Sequence, residues 1–331
     1  MWGSRAAAEA EALQRRQPGS RDADEQLYPI NALRNLAMRQ AVTELVLVLD
    51  VDFVPSCAAA QLSAILFDAR GGELGRRLRD TEAPTALVLP AFELAGAALA
   101  AATAAPPSKQ PPRGGGGPGR GEAAAADEAE AAAAAHDAAA ALLPRSKKAA
   151  RAMWARGDLN GFKFAQHYLV GHGATDYARW WAATPMATLH DAASGGAGAG
   201  SDAAAAAAAA PYAVTYMERY EPYVVGSRAA LPAYDERFRG CLNDRVQQCY
   251  AAAARGTAFE VLPDHFVVAV PHAKSASRRA TLGRSAHPLS KLRADKLLER
   301  FKAELAPFHP VNRTARGLLA AKLPKGMRPL E

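Results

Sequence analysis

The sequence predicts an α/β protein with a mixed, mostly parallel central sheet. Two observations carry this reading. Helical spacing and apolar runs of strand length alternate from Tyr28 to Leu94, the order expected of an α/β sheet. The apolar runs are unbroken, as expected of strands covered on both faces.

The elements follow in order. Pro29 fits a first helical turn, and Ile30, Leu33, Leu36, Ala37 and Met38 recur near helical spacing before Thr43. Leu45 to Leu49 is an apolar run expected to form a strand buried on both faces, and it ends in Asp50-Val51-Asp52. Ala58 to Arg79 reads as a helix with Leu62, Ile65, Leu66 and Phe67 on its apolar side, and Ala86 to Pro90 as a second buried strand. Further on, Cys241 to Ala254 is helix-like, Phe259 to Leu262 and Phe266 to Val270 are strand candidates, and Pro288 to Leu305 reads as a helix in a basic tail.

Half of the 331 residues are hydrophobic but only 7% are aromatic, so alanine inflates the apparent core. Length alone allows about two domains. The segments 101–141 and 192–210 are low complexity, too poor in bulky apolar residues to offset their ordering entropy, and read as inserts. What remains is one domain over 26–310, preceded by a poorly structured 1–25 and followed by a basic tail over 311–331. No secretory apolar core is visible, and Ala86 to Ala105, with Pro90 and Glu93, falls short of a membrane span. Cys57, Cys241 and Cys249 lack metal-finger spacing and allow at most one internal bridge.

Asp50 and Asp52 stand immediately past a buried strand, where open α/β sheets place their ligand crevice. Residues two apart on an extended chain point the same way, so both carboxylates can face one cation or a cation-bound phosphate. Such oxygen donors suit Mg²⁺ or Mn²⁺. The plain alternative is a polar strand end.

Residues Tyr28 to Ala37, followed by Leu47 to Ser56, resemble the LARGE-type glycosyltransferases, glycosyltransferase family 49, which includes a β-1,4-glucuronyltransferase. Further blocks follow in the family's order: Leu87 to Glu93, Gly171-His172 through Trp180, Tyr220 to Val225, Tyr234 to Phe238, and Val261 to His272. The resemblance implies a GT-A-like fold, a Mn²⁺ or Mg²⁺ cofactor, a UDP-sugar donor, and transfer of glucuronic acid or xylose to a glycan or glycoprotein acceptor by inverting displacement. It implies that Asp50, Asp52 and His272 hold the metal, and that Asn31, Arg34 and Asn35 face the nucleotide sugar. For the last three, the alternative is the ordinary polar side of an amphipathic helix. Asp176 and Glu221 are the candidates for the base that deprotonates the acceptor; each can instead orient substrate or pair with Arg179 or Arg219. Trp180 and Trp181 are candidates to stack on a sugar or to wall a pocket. Golgi luminal location, through a membrane anchor absent from this chain, is likewise implied.

The sequence departs from the family's pattern in three places. Only 27 residues precede Tyr28, where the family carries a further strand and helix, so the chain reads as N-terminally truncated. Ala269 stands where many relatives carry a histidine, and Gly240 to Arg245 follows the glycine-rich pattern loosely. An inactive glycan-binding relative is therefore a second reading. Nucleic-acid binding is a third, suggested by the basic clusters Arg145 to Arg156 and Lys274 to Lys302 but opposed by Asp295, Glu299 and Glu304 interleaved in the second of them, and by the absence of a nucleic-acid motif.

Overall fold

The computed structural model describes residues 28–56, 71–103, 136–164, 168–183, 210–272, 282 and 289–306. Helices α1 (Ile30–Gln40), α2 (Gly71–Arg79), α3 (Gly96–Thr103), α4 (Lys147–Arg156), α5 (Tyr177–Ala182), α6 (Val246–Ala254) and α7 (Ser290–Leu305) surround two sheets. The strands are β1 (Leu45–Leu47), β2 (Phe53–Pro55), β3 (Thr85–Leu89), β4 (Ala91–Leu94), β5 (Leu159–Gly161), β6 (Tyr212–Val214), β7 (Tyr223–Ser227), β8 (Ala258–Val261) and β9 (Val267–Ala269). One sheet has the order β1-β7-β3-β8-β6 and the other β2-β9-β4-β5.

The mixed α/β architecture matches the sequence reading, but the expected mostly parallel pairing does not hold. Among the described residues, only β3 with β8 and β4 with β9 are parallel, and the remaining pairs are antiparallel. Apolar periodicity could not show this, because a strand covered on both faces reads the same whichever way its neighbours run. Three short connections carry the chain from one sheet to the other. β3 passes into β4 at Pro90, β8 into β9 through residues 262–266, and β1 into β2 through residues 48–52. Asp50 and Asp52 occupy the third crossing, so the acidic pair sits at a corner between the sheets.

β3 is buried along its whole length, as its sequence requires. β1 is not: its residues are only half-buried, because it is the end strand of its sheet among the described residues and one side faces a cleft. Around β4, Phe92 contacts the rings of Trp180, Tyr177 and Phe266 at 5.3–5.6 Å. Trp180 is fully buried and donates its indole N–H to the Leu262 carbonyl at 2.9 Å, and Trp181 packs on it at 4.6 Å. Trp180 is therefore a core residue, not a sugar platform.

α1 turns its polar side inward. Asn31, Arg34, Asn35 and Met38 are buried, whereas Ile30, Leu33 and Leu36 are only partly covered. The amphipathic-helix alternative is thus inverted, because the polar side chains find fixed partners described below.

Several element ends shift. The helix expected from Cys241 begins at Val246, after Gly240 and Asn243 take left-handed backbone conformations that interrupt helical hydrogen bonding. The upstream limit of the expected helix 58–79 lies outside the described residues, as do 104–135 and 184–209. At the two ends of the expected insert 101–141, α3 runs to Thr103 and Ala139 is buried in the core. α7 closes the fold by setting Leu298 and Phe301 against Phe238 and Tyr250.

Candidate active site

A cleft of about 1220 Å³ opens between α1, the β1–β2 crossing, residues 240–245 and α7. Its apolar wall comes from α1 and β1, and its polar end from side chains far apart in sequence.

Asp50 is the centre of the polar end. Arg34 Nη2 donates to its Oδ1 at 2.7 Å, while Arg245 Nη2 at 2.5 Å and the Tyr223 hydroxyl at 2.9 Å donate to its Oδ2. Arg34 also donates to Asp244 at 2.8 Å and to Asn31 at 3.1 Å. The Arg245 guanidinium lies 3.9 Å from the centre of the Tyr223 ring, which Phe53 contacts at 4.4 Å. Burial pushes the Asp50 carboxyl up, but Arg245 and Arg34 outweigh it and hold the group well below the usual carboxylate range. Burial likewise pulls Arg245 down, and Asp50 more than restores its charge.

Asp52 is separated from this network. Residues 50–52 form a turn, with the Phe53 N–H donating to the Asp50 carbonyl at 3.0 Å, not the extended segment that would point both carboxylates alike. Asp52 instead meets His272 Nε2 at 3.0 Å, and both side chains keep access to solvent. Among the described residues, no three His, Cys, Asp or Glu side chains gather closely enough to hold a metal. The expected trio Asp50, Asp52 and His272 is thus not assembled, because Asp50 is drawn to its two arginines. A carboxylate and an imidazole in contact nonetheless fit a manganese-type ion, which completes its shell with water and phosphate oxygens.

The remaining candidates divide. Glu221 lines the cleft, with Lys163 Nζ donating to its Oε1 at 3.3 Å. Its backbone N–H donates to the Gly171 carbonyl at 2.9 Å. A Cβ at Gly171 would lie 2.5 Å from the Tyr168 ring and 3.1 Å from Glu221, so only glycine allows this approach. Asp176 does not line the cleft; it caps α5, accepting from the Arg179 N–H at 3.1 Å. Asn31 donates to the Asp235 carbonyl at 3.0 Å, and Asn35 to the Tyr234 carbonyl at 2.8 Å and Glu236 at 2.9 Å. Both therefore fasten α1 to residues 234–236, and only Arg34 of the three faces the cleft.

A family model described as a glycosyl-transferase for dystroglycan matches residues 4–111 and 132–307. The chain belongs to this family. Xylosyl- and glucuronyltransferase LARGE2 of Mus musculus is 28% identical over 252 residues, 76% of this chain and 26% of its own length. The Homo sapiens LARGE2 is 28% identical over 249 residues, 75% of this chain and 24% of its own length. Glycosyltransferase-like protein gnt14 of Dictyostelium discoideum is 26% identical over 250 residues, 75% of this chain and 27% of its own length. The chain therefore spans about a quarter of the length of these relatives.

Sequence reasoning missed three site residues of this family member. Arg245 lies in the stretch that follows the family pattern loosely, Tyr223 stood in a recognised block without a role, and Lys163 had no motif around it. Lys163, Arg219 and Asn243 line the cleft and hold left-handed backbone conformations with φ of 59°, 67° and 58°. Such strain concentrates at functional sites, but it is invisible in side-chain identity. Among the described residues, no helix is long and apolar enough to cross a membrane.

Proposed function

We propose that this chain is a glycosyltransferase that moves glucuronic acid or xylose from a UDP-sugar to a glycan or glycoprotein acceptor, with inversion. The single observation that supports this is the convergence of Asp50, Asp52, His272, Arg34 and Glu221 on one cleft in a chain of this family. The named activities of the LARGE2 relatives support the donor class.

Asp52 and His272 would hold a manganese or magnesium ion, with Asp50 joining once its pair with Arg245 is released. When bound, the ion neutralises charge on the leaving diphosphate. Glu221 accepts the proton of the acceptor hydroxyl as that oxygen attacks the anomeric carbon and the bond to UDP breaks. Lys163, which donates to its Oε1, orients Glu221. Arg34 and Arg245 supply positive charge beside the diphosphate. A Golgi luminal location belongs to the same reading.

The test is transfer or hydrolysis of UDP-glucuronic acid and UDP-xylose by the purified chain with Mn²⁺. Turnover that is lost in Asp52→Asn and Glu221→Gln supports the assignment. Glycan binding with no turnover and no nucleotide binding would favour the inactive relative.

A further inference from the structure

Asp50 poses a chemical problem within the proposed function. The first acidic residue of a metal-binding pair needs uncommitted negative charge, yet both of its oxygens are occupied by two nearly buried guanidiniums and a phenol. A cation placed there would stand within a few ångströms of two like charges.

Arg245 has a second peculiarity. It is only 6% exposed, it lines the cleft, and its Nε has no hydrogen-bond partner among the described residues. A buried guanidinium donor without a partner is costly, and a phosphate oxygen reaching it from the cleft would relieve that cost. Guanidinium recognises phosphate through two parallel N–H groups, and Arg245 Nη2 is spent on Asp50 while Nε is not.

The charge of the cleft points the same way. Among the described residues that line it, five basic side chains face five carboxylates, His272 aside. A dication alone or a diphosphate dianion alone leaves unpaired charge in a partly desolvated site. Both together leave none.

We propose that Arg245 is an exchangeable donor-binding residue. In the empty cleft it neutralises Asp50; when a nucleoside diphosphate enters, its guanidinium turns to the phosphate oxygens and releases Asp50 to the cation. Arg34 stays in place, anchored also by Asp244 and Asn31. The exchange makes cation and diphosphate binding strongly cooperative, and it rests on the UDP-sugar reading above.

The experiment measures Mn²⁺ binding by electron paramagnetic resonance and UDP binding by calorimetry on the full chain, with folding checked by thermal melting. In the wild type, UDP tightens Mn²⁺ binding at least tenfold. Arg245→Gln binds Mn²⁺ alone at least tenfold more tightly than the wild type, and UDP no longer adds to it. Asp50→Asn, in which Arg245 is already released, binds UDP in the presence of EDTA several-fold more tightly than the wild type. A residue that is only a metal ligand would not produce that gain. Unchanged Mn²⁺ binding in folded Arg245→Gln, or no gain for Asp50→Asn, overturns the exchange while leaving the transferase reading intact. If Arg245→Gln does not fold, Asp50→Asn alone decides. A gain seen with UDP-glucuronic acid but not UDP would assign Arg245 to the uronate carboxylate and overturn the diphosphate assignment. A wild type that binds no UDP with Mn²⁺ overturns both readings.

Discussion

Asp52 Oδ2 and His272 Nε2 stand 3.0 Å apart although 220 residues separate them in the chain. The contact follows from sheet register. β2 and β9 pair antiparallel with Phe53 opposite Ala269, and the Val270 N–H donates to the Asp52 carbonyl at 2.7 Å. The pair is exposed enough that it adds little to stability, about 0–1 kcal/mol. Asp52→Asn is therefore expected to leave the urea unfolding free energy almost unchanged. Mn²⁺ affinity in the presence of UDP should fall at least about tenfold by calorimetry. A large stability loss with unchanged Mn²⁺ binding would remove Asp52 from the cation site.

Asp50 sets an acid dependence. Burial raises its pKa, but Arg245 and Arg34 lower it further, so the folded carboxyl lies below the ordinary value of 3.8. A depressed carboxylate pKa contributes stability that is complete above the unfolded value and is withdrawn as pH falls through the folded one. Wild-type unfolding free energy should therefore drop more steeply below pH 3.8 than that of Asp50→Asn. At neutral pH the variant loses less than the roughly 3–5 kcal/mol of a fully buried pair, since Asp50 keeps 31% side-chain exposure. Parallel acid curves would show that the ion pairs do not form in solution.

Glu221 and Asp176 are separable by kinetics. Glu221→Gln is expected to lower kcat about 10²–10⁴-fold with little change in donor KM, as loss of a general base does. Asp176→Ala removes the α5 cap, costs about 1 kcal/mol in thermal or chemical unfolding, and keeps kcat. The reverse pattern would exchange their roles.

Asn35 serves the fold. It donates to the Tyr234 carbonyl and to Glu236, and its Oδ1 accepts from the Tyr234 N–H at 2.8 Å. Asn35→Ala leaves buried backbone groups without partners and should cost about 2–4 kcal/mol in urea unfolding. A variant of unchanged stability but raised donor KM would return Asn35 to the nucleotide site.

Trp180 offers a parallel contrast. With its ring enclosed by Phe92 and Phe266, Trp180→Ala should destabilise the protein by roughly 3–5 kcal/mol. If it stacked on a sugar, acceptor KM would change instead.

Much of this was legible from residue order. The apolar run ending in Asp50 and Asp52, the buried strand through Leu87, and the late strand before His272 each appear where local patterning placed them. Motif order also carried the family. Helix ends were less legible, because Asn243 adopts a left-handed conformation that no turn signal announced. The site was legible only in part: Asp52, His272, Arg34 and Glu221 line the cleft, whereas Asn31, Asn35 and Asp176 are held by other partners.

The sequence by itself determined the elements, the family and the acidic pair that follows the first strand, because these depend on neighbouring residues along the chain. Tertiary structure alone decided strand direction, which side of α1 faces inward, and the pairing of Asp50 with Arg34, Tyr223 and Arg245. Those outcomes depend on which distant segments share a sheet or a wall of the cleft, and burial there decides how a carboxylate spends its charge.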